Sequence, residues 1–288
     1  MKFNFLSGLP RSGSTLLAAL LRQNPRFHAG MSSPVATLFE GVIAQVSAGS
    51  ELASMVDEPQ RERLLRGLFE NYYADRVEQV IFDTNRAWTA QLPALLRLHP
   101  DARLICCVRD VAWVMDSLER QWRANAFENT RLFTSQAERA TVYTRLEALA
   151  NANRLVGYAW HALREACYGE HADRLVLIDY DLLIRRPADV MSLLYKFLGE
   201  EPFEHDFDAV SYDAPAFDQQ LGLNGLHRVH PKVAPRPRDT ILPPDLFKRF
   251  SGMAFWQDLS DSRAFRIIHQ PDAAAPAPSV ISANEVLL

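Results

Sequence analysis

The segment from Lys2 to Leu17 constrains the fold more than any other part of this chain. Phe3, Phe5 and Leu6 make a short apolar strand. Ser7-Gly8-Leu9-Pro10-Arg11-Ser12-Gly13-Ser14-Thr15 makes a glycine-bearing turn, and Leu16-Leu17 opens an apolar helix. A strand that feeds such a turn into a helix aims several backbone N–H groups and the positive end of the helix dipole at one spot, which suits a phosphate or sulfate.

Three more apolar runs share the strand character of Phe3–Leu6: Val80–Phe82, Arg103–Val108 and Leu175–Ile178. Each is followed by a helical pattern. This alternation predicts an α/β fold, a three-layer sandwich with a mostly parallel central sheet, whose ligands sit beyond the carboxyl ends of the strands. Ser33-Pro34 reads as a helix start, residues 59–78 as a charged helix, and residues 137–166 as one long amphipathic helix. Beyond Ser211 the rhythm breaks. Residues 222–244 hold His227, Arg228, His230, Lys232, Arg236 and Arg238 among prolines, the composition of an ordered or closing loop. Residues 270–288 read as a disordered tail after a domain spanning 1–269.

Composition narrows the function classes. With 288 residues, 48% of them hydrophobic, the chain can bury a large core, and a net charge of -4 gives no basic face for nucleic acid. No stretch approaches the roughly 18 apolar residues of a membrane span. The first apolar run is too short for a secretory signal. Three cysteines, two of them adjacent at Cys106-Cys107 in a strand pattern, read as buried reduced thiols. These features predict a cytoplasmic protein with neither nucleic-acid nor membrane partner, and they leave a homo-oligomer open. No cluster has metal-ligand spacing; the nearest, His227-x2-His230, reads as part of the basic loop.

Two motifs carry chemistry. Gly8 and Gly13 have the spacing of the nucleotide-triphosphate loop, but Ser14 stands where that motif needs lysine, and the loop's cation is Arg11. In Cys107-Val108-Arg109-Asp110 a strand ends at Arg109, Asp110 can cap the next helix, and Ser117 lies two turns along it, so that Arg109 and Ser117 could reach one phosphate. Together these motifs resemble the sulfotransferases that use 3′-phosphoadenosine-5′-phosphosulfate. Asp179-Tyr180-Asp181-Leu182-Leu183, then Arg186-Pro187 and Phe197-Leu198-Gly199, extend the resemblance over residues 2–200, with a weaker likeness out to about 250. Arginine in the loop and Asp83-Thr84-Asn85-Arg86 after the second predicted strand are similar to the protein-tyrosine sulfotransferases and their bacterial relatives.

The resemblance implies a P-loop-like sulfotransferase fold and transfer of a sulfuryl group to an acceptor hydroxyl, leaving 3′-phosphoadenosine-5′-phosphate, with no metal required. Tyrosine in a peptide or protein is the implied acceptor; a carbohydrate or small phenol is the alternative. By the same resemblance Pro10, Arg11, Ser12, Gly13, Ser14 and Thr15 hold the 5′-phosphate, Arg109 and Ser117 read the 3′-phosphate, and Lys232, Arg236 and Arg238 close over the nucleotide. Arg11 and Arg86 act on the reacting group. Ser32 stands where the tyrosine sulfotransferases carry their catalytic glutamate. Asp83 is therefore the first candidate base, with His28 and Glu40 as alternatives. The rival readings are a phosphate-loop kinase or NTPase and a non-catalytic nucleotide-binding module.

Overall fold

The computed structural model describes residues 1–125, 127 and 132–268. Strands β1 (Lys2–Gly8), β2 (Phe27–Ala29), β3 (Val80–Thr84), β4 (Leu104–Val108), β5 (Leu175–Asp179) and β6 (Phe265–Ile267) form one sheet in the order β2-β3-β1-β4-β5-β6. Every neighbouring pair is parallel. The four expected strands all form. The sequence reading did not include β2 and β6, which hold three residues each and lie at the sheet's two edges.

After β1 the chain builds β2 and β3 on one side of that strand, then crosses to build β4, β5 and β6 on the other. Such a reversal leaves a crevice at the carboxyl ends of the central strands, where the connecting loops diverge. The turn after β1 therefore opens onto it.

Along the chain run helices α1 (Ser14–Leu21), α2 (Val35–Val46), α3 (Glu58–Tyr72), α4 (Leu92–Leu98), α5 (Val111–Ala124) and α6 (Gln136–Arg139). They continue with α7 (Val142–Ala150), α8 (Leu155–Tyr168), α9 (Tyr180–Arg185), α10 (Pro187–Leu198), α11 (Pro215–Leu221) and α12 (Pro244–Ser251). Strand side chains alternate between two cores. Phe3, Phe5, Ile81, Leu104, Cys106 and Leu175 pack with α2, α3, α4, α5, α7, α8 and α12. Leu6, Val80, Phe82, Ile105, Cys107 and Val176 pack with α1, α9 and α10. All three cysteines are buried free thiols, and burial pushes Cys107 and Cys167 up to about 12.

Two helix boundaries differ from expectation. The helix read over 59–78 ends at Tyr72. The single helix read over 137–166 is three, α6, α7 and α8. Thr141 caps α7 by accepting from Thr144 N at 3.1 Å, and Asn151 ends it, its Oδ1 accepting from Asn153 N at 3.1 Å. The chain then turns back so closely that a Cβ on Gly157 would lie 2.2 Å from Asn151 O. Polar residues that offer the backbone local partners have overridden the apolar period. The tail read over 270–288 lies outside the described residues.

His99 sits among Phe3, Phe5 and Phe69, its Nε2 buried without a partner. Burial, aided by the charge of Arg66, pulls its pKa down to about 4 from 6.5. The folded chain thus binds fewer protons here than the unfolded one between those values, so this contribution to stability is full above pH 6.5 and falls as the pH drops towards 4. The penalty approaches about 2 kcal/mol at pH 5. His99→Phe keeps the ring and removes the titration. Thermal melts at pH 7 and 5 should show the variant losing less stability than the parent; equal losses would place the acid sensitivity elsewhere.

Candidate active site

The turn between β1 and α1 is shaped by backbone that few residues tolerate. Gly8 has φ 103°, and a Cβ there would lie 2.2 Å from Cys107 O, so only glycine lets the turn press against β4. Gly13, at φ 93°, caps α1; a Cβ on it would lie 2.6 Å from the Tyr180 ring. Between them Arg11 is left-handed at φ 60°, a conformation that costs a side-chain-bearing residue roughly 1–2 kcal/mol. Left-handed residues interspersed in a turn let its backbone N–H groups converge, and the first turn of α1 adds unbonded N–H groups of its own.

This turn forms one wall of a 1210 Å³ cavity lined also by Arg86, Arg109, Ser117, Tyr180 and His227. Pro10, Arg11, Gly13, Ser14 and Thr15 all face it. Arg11 reaches across: Nε donates to Ser117 Oγ at 3.1 Å, and Nη1 donates to Leu226 O. Burial lowers the pKa of Arg11, and the neighbouring charge of Arg109 lowers it further. Arg109, at the end of β4, lays its guanidinium over the Tyr180 ring, 4.3 Å from the centroid, and its Nε is buried with no partner. Arg86 follows β3 at the head of a short 3₁₀ turn that Asn85 caps by accepting from Ala87 N at 3.0 Å. The hydroxyl of Ser7, on β1, donates to its carbonyl oxygen at 3.2 Å. The Arg86 side chain meets the water of the cavity, yet protein surrounds it closely enough that burial lowers its pKa. The turn's N–H groups and three guanidiniums, one of them with an unsatisfied buried donor, fit a ligand with more than one anionic group.

The basic loop roofs this cavity, and it is already fastened. Residues 207–212 pair with 229–233 through Val229 N to Tyr212 O (3.0 Å), Val210 N to Pro231 O (2.8 Å) and Val233 N to Phe207 O (2.8 Å). Further on, the fully buried Asp116 of α5 takes Arg238 Nη2 at 2.9 Å, Thr240 Oγ1 at 3.0 Å and Ile241 N at 2.7 Å. Arg238 also lies over the Trp113 ring. Lys232 pairs with Asp208 at 2.8 Å, and Arg236 lines the cavity without a bonded partner among the described residues.

Several expected site residues lie elsewhere. The Ser12 side chain is fully buried, its hydroxyl 3.4 Å from Pro10 O and turned from the cavity. Asp83 is also fully buried: its carboxylate accepts from Ser33 Oγ (2.6 Å), Tyr73 OH (2.7 Å) and Trp88 Nε1 (2.7 Å), and it does not line the cavity. Burial raises its pKa while the three donors hold it down. A carboxylate enclosed in this way ties α2 and α3 to β3 and has no path to an acceptor's proton. His28 faces a separate 40 Å³ pocket, 3.7 Å from Glu78, and Glu40 is exposed on α2 away from the cavity. Neither is in place to act as the base. Ser32 and Met31 do line the cavity.

Two cavity features were not anticipated. Tyr180, expected only as part of a motif and not among the site residues, buttresses both Gly13 and Arg109. Asp218 on α11, fully buried, accepts His227 N through Oδ2 at 2.9 Å and lies 2.5 Å from His227 Nδ1 through Oδ1. Burial lowers the His227 pKa; Arg11 and Arg86 lower it further, and Asp218 opposes them. The two residues are nine positions apart across a turn with no periodic pattern, so spacing offered no signal that would join them.

The model of the sulfotransferase family matches residues 5–205. Among solved structures, the chain is similar to the sulfotransferase domain from the curacin biosynthetic pathway. The two are 15% identical over 87% of this chain and 96% of that one, with a TM-score of 0.51. A sulfotransferase from Alicyclobacillus acidocaldarius is 19% identical over 77% and 90%, at 0.47. Retinol dehydratase, in complex with androsterone and the inactive cofactor PAP, is 13% identical over 94% and 84%, at 0.46. No curated protein matches the sequence.

If Asp83 holds the fold, Asp83→Ala strands three buried donors and should lower stability in urea titrations by about 2–4 kcal/mol. Unchanged stability with abolished turnover would restore it as a candidate base.

Proposed function

The chain belongs to the sulfotransferase family, enzymes dependent on 3′-phosphoadenosine-5′-phosphosulfate, and we propose that this cavity moves a sulfuryl group from that donor to an acceptor hydroxyl. The observation that carries the reading is the buried, unpartnered Nε of Arg109, set on Tyr180 beside an arginine-bearing anion loop. A buried donor left unsatisfied beside a cavity is one that a bound anion can complete. Bound donor supplies the sulfuryl group; the chain supplies placement and charge. The inward N–H groups of the turn, with Ser14, Thr15 and Arg11, take the 5′-phosphate. Arg109 and Ser117 take the 3′-phosphate, and Arg86 faces the sulfuryl side. Sulfuryl transfer, like phosphoryl transfer, spreads charge over equatorial oxygens in a loose transition state, so cations fixed in advance lower its energy without reorganising.

Met31, Phe217, Leu221, Leu223, Leu226 and Val229 give the cavity lining an apolar portion. Such side chains favour a hydroxyl carried on an apolar body, a phenol such as tyrosine in a peptide, over a carbohydrate, whose many hydroxyls they could not pair. No helix among the described residues is long and apolar enough to cross a membrane. The three buried free thiols favour a reducing, cytoplasmic setting.

Calorimetric titration with 3′-phosphoadenosine-5′-phosphate, beside ATP with and without magnesium, tests the donor. Tight binding of the bisphosphate without metal is expected, and a preference for magnesium-ATP would return the chain to the phosphate-loop kinases. Arg109→Ala should weaken the bisphosphate by about 2 kcal/mol, roughly 30-fold, and its 3′-dephosphorylated analogue far less. Equal losses would remove Arg109 from the 3′-phosphate. Arg11→Ala should depress kcat more than donor affinity if its charge serves the departing oxygen.

A further inference from the structure

We propose that His227 is the general base that takes the acceptor's proton, with Asp218 as the residue that positions it. The proposal rests on the sulfotransferase reading above and fills the place that Ser32, Asp83, His28 and Glu40 leave open. His227 lines the cavity with its side chain 15% exposed, while its partner Asp218 is wholly buried. One carboxylate oxygen faces Nδ1 at 2.5 Å and the other accepts the backbone N–H of the same residue at 2.9 Å, a grip that fixes both ring and main chain. A carboxylate acceptor at Nδ1 keeps the proton on that nitrogen. Nε2 is left as the acceptor, with no bonded partner among the described residues.

Local structure explains why the ring stands here. Gly222, at φ 66°, ends α11, Leu226 N donates back to Leu223 O, and Arg11 ties down Leu226 O, the residue before the histidine. The loop that carries the anion-binding turn's own arginine is therefore bonded to the segment that carries the base. The charged groups facing His227 are Arg11 from the turn after β1, Arg86 from the turn after β3, and Asp218 from α11. Burial, with the two arginines, outweighs the pull of Asp218 and keeps the ring neutral at pH 7, the form that can accept a proton.

In the transfer, the acceptor oxygen forms its bond to sulfur as the bond from sulfur to the donor's bridging oxygen breaks. That electron pair stays on the 5′-phosphate oxygen, and the acceptor's proton passes to Nε2. Deprotonation of His227 to solvent then completes the cycle.

The test combines a measurement on the free protein with kinetics. Ring-¹⁵N NMR should find His227 protonated on Nδ1 at pH 7 and titrating below 6.5; a ring protonated on Nε2 would sink the proposal. His227→Gln should lower kcat about 100-fold or more and erase the acid limb of the pH profile, with the affinity for 3′-phosphoadenosine-5′-phosphate unchanged within twofold. Asp218→Asn should move that limb to lower pH, since the carboxylate raises the histidine's pKa, and Asp218→Glu should restore part of the shift. A His227→Gln protein that binds the bisphosphate normally and keeps parental kcat would overturn the base assignment alone. Failure of the parent chain to bind the bisphosphate would overturn the donor reading, and this proposal with it.

Discussion

Arg11 and Arg109 are close enough in one partly buried cavity for each to feel the other's charge, and much of the surrounding structure answers that repulsion. Neither faces a carboxylate at salt-bridge distance among the described residues. Arg11 is met instead by a serine hydroxyl and a backbone carbonyl, and Arg109 by the face of an aromatic ring. Dipoles and a quadrupole steady a guanidinium without cancelling its charge. The field therefore remains available to an anionic ligand, whereas an aspartate at either position would have quenched it.

The same logic places the acidic groups. Asp116 and Asp83 are buried at the cavity's margins and bind structural donors, one the loop that follows α11 and the other the helices beside β3. Asp218, also buried, gives both oxygens to a single residue of the cavity wall. Apart from the two arginines that Asp116 takes, Arg120 on its own helix and the Arg238 it shares with Trp113, these three carboxylates hold neutral or weakly charged partners at the edge and leave the centre cationic.

The parallel sheet, its central strands and the loop from Gly8 to Thr15 were legible in the sequence because they are local: an apolar run, two glycines and a helix start within a single stretch of chain. Arg109 and Ser117 were legible for the same reason, as a strand end and a position two turns into the next helix. β2 and β6 were too short to leave a pattern, and the break between α7 and α8 is set by Asn151 and its local hydrogen bonds beneath a continuous apolar stripe. Asp83 misled because a carboxylate at a strand's carboxyl end looks the same in sequence whether it points into a cavity or into Trp88, Tyr73 and Ser33. The Asp218–His227 contact depends on a turn closed by Arg11 from more than two hundred residues away, information that no window of sequence holds.

The roof over the cavity is stitched along the pairing of 207–212 with 229–233 and again at Asp116. A flap secured at both margins does not lift like a hinged cover. The bulk of an incoming molecule therefore meets a wall whose shape is already set, before any charge inside has a chance to choose.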